Sequence, residues 1–122
     1  METIVDASFA GYWNKRWSEE LIPVMSRTGY MVIYANCPII WCPKLQTEIT
    51  LSTIESEYVA LSHSLSDMIP LLVLLKEVKE VILRGENTPK VHFSVFDDNK
   101  GCVDMVKALK MRPRTKHIAE MF

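Results

Sequence analysis

Disulfide scaffolds need paired cysteines, and this chain has few to offer. There are three, Cys37, Cys42 and Cys102. An odd count without a C-x-x-C pair argues against both a disulfide framework and a structural zinc site. Such usage points to a reducing, intracellular setting. Net charge is nearly absent as well. A formal value of −1 at pH 7 excludes a globally basic nucleic-acid binder, though not a locally basic one. No unbroken apolar run reaches the roughly 18 residues of a membrane span, which argues against a membrane partner. Residues 1–20 carry Glu2 and Asp6 and no apolar block, so they do not form a secretory signal. Repeats and low-complexity tracts are also missing.

What is present fits one folded domain. The chain has 122 residues, of which 48% are apolar and 24% charged, enough to close a core. Residues 2–9 predict a first strand, and residues 10–27 a long loop. Gly29–Ala35 predicts a second strand by its β-branched and aromatic content. Asn36-Cys37-Pro38 predicts a turn. Ile39–Cys42 and Glu48–Leu51 give short strand signals on either side of Pro43.

Ser52 or Thr53 then caps a helix whose first turns carry Glu55 and Glu57. Ile54, Tyr58, Leu61, Leu65, Met68, Leu72 and Leu75 repeat at helical spacing. Pro70 falls inside the pattern and predicts a kink or split, with a second helical stretch to about Leu83. Gly85–Pro89 is a loop. Val91–Phe96 predicts a strand that ends at Asp97-Asp98-Asn99. A short helix to about Leu109 follows, with Val103 and Val106 facing inward. The tail from Lys110 begins as a loop and re-enters a helix near Ile118. The order β-β-β-α-β-α predicts an α/β (α+β) mixed sheet with helices packed on it.

Asp6, Glu57 and Asp98 are the candidate site residues. Asp6 lies on the first strand and Asp98 at the end of a later one. At about 100° per residue, Glu57 falls at the edge of the apolar stripe and Glu55 outside it, so Glu57 should face the sheet and Glu55 water. A carboxylate turned toward a packed interface is costly unless it is paired or bound to a cation. Three converging carboxylates favour a hard divalent cation such as Mg²⁺. The plainer reading is a set of solvated groups and caps, with Asp98 or Asn99 capping the next helix.

Residues 106–119 hold Lys107, Lys110, Arg112, Arg114 and Lys116 and no acid. This segment either contacts phosphates or forms a solvated basic loop. His117 within it reads as structural or phosphate-facing. Trp41 reads as a core residue of its strand, the methionines as core fillers and the cysteines as small buried hydrophobes.

Several blocks resemble, in order, the ribonuclease H domain of copia-type retrotransposon polyproteins. They are VDASFAG (Val5–Gly11), SRTGY (Ser26–Tyr30), PIIW (Pro38–Trp41), LSTIESEYVAL (Leu51–Leu61), FDDN (Phe96–Asn99) and RTKHI (Arg114–Ile118). The resemblance implies a ribonuclease H-like fold over a single, partial domain, residues 1–122. It implies hydrolysis of the RNA strand of RNA–DNA hybrids. Carried over, the family's metal-binding and catalytic acids fall on Asp6, Glu57 and Asp98, with Mg²⁺ or Mn²⁺ as the ion. The D-N pairing selects Asp98 over Asp97. Implied partners are the hybrid and the reverse transcriptase region of the same polyprotein. Family members continue past the R-T-K-H-I block into another strand and a helix with a fourth acid. That last strand and helix are missing here, so the alternative expectation is a truncated, non-catalytic remnant that binds nucleic acid weakly through Lys107–Lys116.

Overall fold

A computed structural model of the chain describes residues 1–11, 24–83 and 91–108. Most of the loop expected over 10–27, the loop Gly85–Pro89 and the tail from Lys110 lie outside these residues. The elements run β1 (Glu2–Ser8), β2 (Arg27–Tyr34), β3 (Cys37–Leu45), α1 (Thr53–Leu83), β4 (Ser94–Asp97) and α2 (Lys100–Ala108). They form a mixed α/β fold. One four-stranded sheet has the order β3-β2-β1-β4. β1, β2 and β3 pair antiparallel, and β4 pairs parallel with β1. A parallel pair needs a crossover, and α1 supplies it.

β2 and β3 join through Ala35 and Asn36, both in left-handed backbone (φ 51° and 61°). That two-residue geometry matches the strands' own twist. The turn therefore falls one residue earlier than expected, and Cys37 and Pro38 belong to β3. Ile33 pairs with Pro38 and Val32 with Ile40, so Ile39 is the extra residue of a bulge. Pro38 and Pro43 are tolerated because β3 is an edge strand. The two short strand signals around Pro43 resolve into this one strand, and Glu48–Leu51 is not a strand.

α1 lies across β1 and β2. Ser52 caps it, its Oγ accepting from the Glu55 N–H at 3.2 Å. The helix runs unbroken through Pro70, a correction to the expected split. Proline removes one backbone donor without forcing termination when packing holds the turns on either side. The core joins Val5, Tyr30, Val32, Ala60, Leu61 and Cys102, with Val59, Met68 and Leu72 also buried. Buried Gln46 ties the sheet to the helix, its Nε2 donating to Thr28 Oγ1 (3.0 Å) and to the Ser56 carbonyl (2.9 Å).

At 1.5 Å per residue α1 is about 46 Å long, whereas a seven-residue strand reaches only about 23 Å. Its second half thus overhangs the sheet, leaving Val73, Leu74, Val81 and Ile82 exposed. By length and composition Thr53–Ile82 qualifies as a candidate membrane span. The absence of an unbroken apolar run is therefore not the exclusion it was expected to be. Ser62, His63, Ser64, Ser66 and Asp67 interrupt the run without lifting its average polarity enough.

Only one face of the sheet is covered by α1. On the other, Trp41, Met31, Ile4 and Phe96 pair in one row across all four strands, and all four are exposed. Trp41 is 67% exposed, which corrects its expected place in the core. Alternation along β3 sends it to the open face. Val106 is likewise exposed, Val103 is partly buried, and Cys102 is the residue α2 buries. Of the other thiols, Cys37 is exposed and Cys42 half-buried, so the buried-hydrophobe reading holds for Cys102 alone.

Candidate metal centre

The site begins with a register. β1 and β4 run parallel, and their last pair is Val5 with Asp97. One residue further along the chain stand Asp6, still on β1, and Asp98, just past the end of β4, toward the carboxyl ends where α/β sheets commonly bind ligands. Along β1, Thr3 and Val5 point into the core while Ile4 and Asp6 are exposed. Asp97 follows the inward direction of its partner Val5, and Asp98 leaves the strand.

The turn after β4 holds these two acids apart. Asn99 caps α2, its Oδ1 accepting from the Cys102 N–H at 3.1 Å. Asp97 Oδ1 accepts from the Asn99 N–H at 2.8 Å. The cap is thus Asn99, and Asp98 is left for the cluster. Gly101 lets α2 approach α1: an added Cβ there would meet Ile54 Cδ1 at 2.9 Å.

Glu57 comes from the second turn of α1. One carboxylate oxygen from each of Asp6, Glu57 and Asp98 lies within 4.8 Å of the other two. Asp6 and Asp98 are exposed, and Glu57 is only 5% exposed. Its Oε2 has no hydrogen-bond partner among the described residues. Burial pushes the Glu57 carboxyl up to about 7; the charge of Asp97 adds to this, a backbone hydrogen bond from Ala7 opposes it, and Asp6 and Asp98 raise it further. A buried acid in this state is stabilised either by a proton or by a cation.

The donor set suits a hard divalent cation. It offers carboxylate oxygens only, with no thiol or imidazole among the three, which favours Mg²⁺ or Mn²⁺ over softer ions. The orphaned Glu57 oxygen is the observation that fits an ion rather than a plain surface cluster.

Glu55 does not face water. It is 1% exposed, and its Oε2 accepts from the Leu51 N–H at 2.7 Å. Helix angle placed it outside the apolar stripe, but the unpaired donors of the helix start give a buried carboxylate partners. Asp97 is the residue that sequence reasoning set aside. Its Oδ2 is buried without a partner, and its charge bears on the buried Cys102 thiol, whose pKa is raised to about 12 by burial, then by Asp97 and Glu57. Two successive acids at a strand end point to opposite faces, and that alternation was the available signal. Lys107 is exposed in the last turn of α2. Lys110, Arg112, Arg114, Lys116 and His117 lie outside the described residues.

Comparison with known proteins places these features in context. The chain is 29% identical over 113 residues to the retrovirus-related Pol polyprotein from transposon TNT 1-94 of Nicotiana tabacum, covering 93% of this chain and 8% of that protein. It is 29% identical over 112 residues to the retrovirus-related Pol polyprotein from transposon RE1 of Arabidopsis thaliana, covering 92% of this chain and 7% of that protein. No family model matches the chain, and no solved structure does. Its homologues are therefore retrovirus-related Pol polyproteins of plant transposons, and it corresponds to a short region of such a polyprotein.

Proposed function

We propose that this region is a ribonuclease H-like domain that hydrolyses the RNA strand of RNA–DNA hybrids with a divalent cation, Mg²⁺ or Mn²⁺. The observation that carries this reading is the convergence of Asp6, Glu57 and Asp98, with ligand atoms within 4.8 Å of one another. The similarity to transposon Pol polyproteins supports it, since copying an RNA into DNA leaves a hybrid to be removed. The sheet of three antiparallel strands, a crossing helix and a fourth, parallel strand is in keeping with it.

In this reading Asp6, Glu57 and Asp98 hold the ion, which when bound polarises a phosphate oxygen and acidifies a water. Asp6 and Asp98 are exposed and leave that side of the site open to a backbone phosphate. Glu57 forms the buried wall, steadied by the backbone of Ala7. With its carboxyl raised to about 7, Glu57 would give up its remaining proton on holding an ion. Lys107, Lys110, Arg112, Arg114, Lys116 and His117 provide the phosphate contacts, each adding salt-sensitive affinity. A hybrid differs from a DNA duplex in its 2′-hydroxyls and its wider minor groove. The reverse transcriptase region of the polyprotein is the neighbouring partner.

Cleavage of a labelled RNA–DNA hybrid tests the proposal, with Mg²⁺ or Mn²⁺ and with EDTA. The expected result is metal-dependent cleavage by the wild type and none by Asp98→Asn. Cleavage that survives Asp98→Asn or EDTA overturns the assignment, as does a folded wild-type chain that leaves the hybrid intact.

A further inference from the structure

The centre described above has a fourth carboxylate beneath it. Asp97 does not belong to the trio whose ligand atoms lie within 4.8 Å of one another, yet it immediately precedes Asp98, and its register partner Val5 immediately precedes Asp6. Its Oδ1 is fixed by the Asn99 N–H at 2.8 Å, while its Oδ2 is buried and has no partner. Glu57 presents a second orphan, Oε2, in the same region. Two buried carboxylates with unmatched oxygens form an unfavourable pair, because burial and like charge act together against ionisation.

The arrangement behind Asp97 is built rather than incidental. Val5 pairs with it on β1, and the α2 cap residue Asn99 holds its other oxygen. A surface acid would have none of these constraints. Resting on the cation-centre reading, we propose that Asp97 is a positioning residue of that centre: a fourth carboxylate that strengthens cation binding through Glu57 without joining the trio that touches the ion.

Outer groups around a metal site commonly change its affinity by about 10- to 100-fold when removed. Asp97→Asn keeps an oxygen for the Asn99 N–H and deletes the charge alone. Mn²⁺ binding to the whole chain, followed by electron paramagnetic resonance of the free ion, reads the effect without any catalytic assay. The expected result is a dissociation constant raised about tenfold in Asp97→Asn, with far-ultraviolet circular dichroism unchanged and binding abolished in Asp98→Asn. Asp97→Ser also retains an acceptor and must weaken Mn²⁺ to a similar extent, which covers the case in which the amide disturbs folding. Wild-type affinity in both Asp97 variants, with binding still lost in Asp98→Asn, overturns the proposal and leaves the cation centre standing. Undiminished binding in Asp98→Asn removes the centre itself and this proposal with it.

Discussion

Asp6 and Asp98 stand one residue beyond the last registered pair of two parallel strands, Val5 with Asp97. Their carboxylates meet Glu57 of α1 there. This relationship joins the most distant described parts of the chain, and it makes the site sensitive to how β4 and α2 are seated.

The first consequence concerns pH. Glu57 has its carboxyl raised from an ordinary 4.5 to about 7. A raised acid favours the folded state when protonated. Its contribution is fully present below about pH 4.5 and is lost as pH rises toward 7. In EDTA the thermal midpoint should therefore fall across that window by an amount equivalent to roughly 2–3 kcal/mol. Glu57→Gln should flatten this segment of the profile. A wild-type midpoint that is level or rising between pH 4.5 and 7, with no change in Glu57→Gln, would count against the raised acid.

Mutual repulsion among the acids gives a second prediction. Replacing Asp98 by Asn should stabilise the metal-free chain by up to about 1 kcal/mol, because one of several like charges is removed. The same variant should lose the rise in thermal midpoint that Mg²⁺ gives the wild type, since an ion stabilises only the state it binds. Thermal unfolding with and without Mg²⁺ measures both effects, and a variant that still responds to the ion contradicts the assignment.

Gly101 gives a third. Alanine gains about 1 kcal/mol of helix propensity, but its Cβ would meet Ile54 Cδ1 at 2.9 Å and Asn99 Oδ1 at 3.1 Å. Overpacking of this kind costs about 1–3 kcal/mol, so Gly101→Ala should lose about 1 kcal/mol net. Adding Ile54→Val removes the nearest methyl and should restore part of the loss. A stabilised Gly101→Ala would show that α2 can move away from α1 freely.

Trp41 and Val32 offer a contrast. Val32 is fully buried and Trp41 is 67% exposed. Val32→Ala should cost about 1–3 kcal/mol through lost burial and a cavity, whereas Trp41→Ser should stay within about 0.5 kcal/mol, as exposed substitutions do. Chemical denaturation distinguishes them; a large loss at Trp41 would mean that the open sheet face is covered in solution.

Ser52 provides the simplest test. Its hydroxyl accepts from the Glu55 N–H, and Ser52→Ala should destabilise the chain by about 1 kcal/mol. Ser52→Asp should retain most of the stability, because it too can accept that bond.

Local chemistry made much of the fold legible. β-branched and aromatic runs marked β1, β2 and β4 to within a few residues, and a 3.6-residue repeat marked α1. The serine at its start marked the cap. Asp6, Glu57 and Asp98 were named from strand ends, helix angle and resemblance, and the structure brings them together. Elsewhere the same local rules gave the wrong answer. Glu55 lies off the apolar stripe and is nonetheless buried, because a backbone donor at Leu51 satisfies it. Pro70 does not split its helix, because packing of the turns around it outweighs one missing bond. Trp41 is large and aromatic, but its strand parity turns it to the uncovered face.

By itself, then, the sequence determined which segments become strands and helices, since these depend on neighbours a few residues away. It also singled out the three carboxylates that the fold brings together. Tertiary structure alone decided the strand order β3-β2-β1-β4 and the face each residue occupies. It also decided that Asp98 joins Asp6 and Glu57 while Asp97 stays outside the trio. Those outcomes depend on pairing between residues more than 90 positions apart, such as Val5 and Asp97. A one-residue slip in that register would exchange the two acids, and nothing in the local pattern of either strand forbids it.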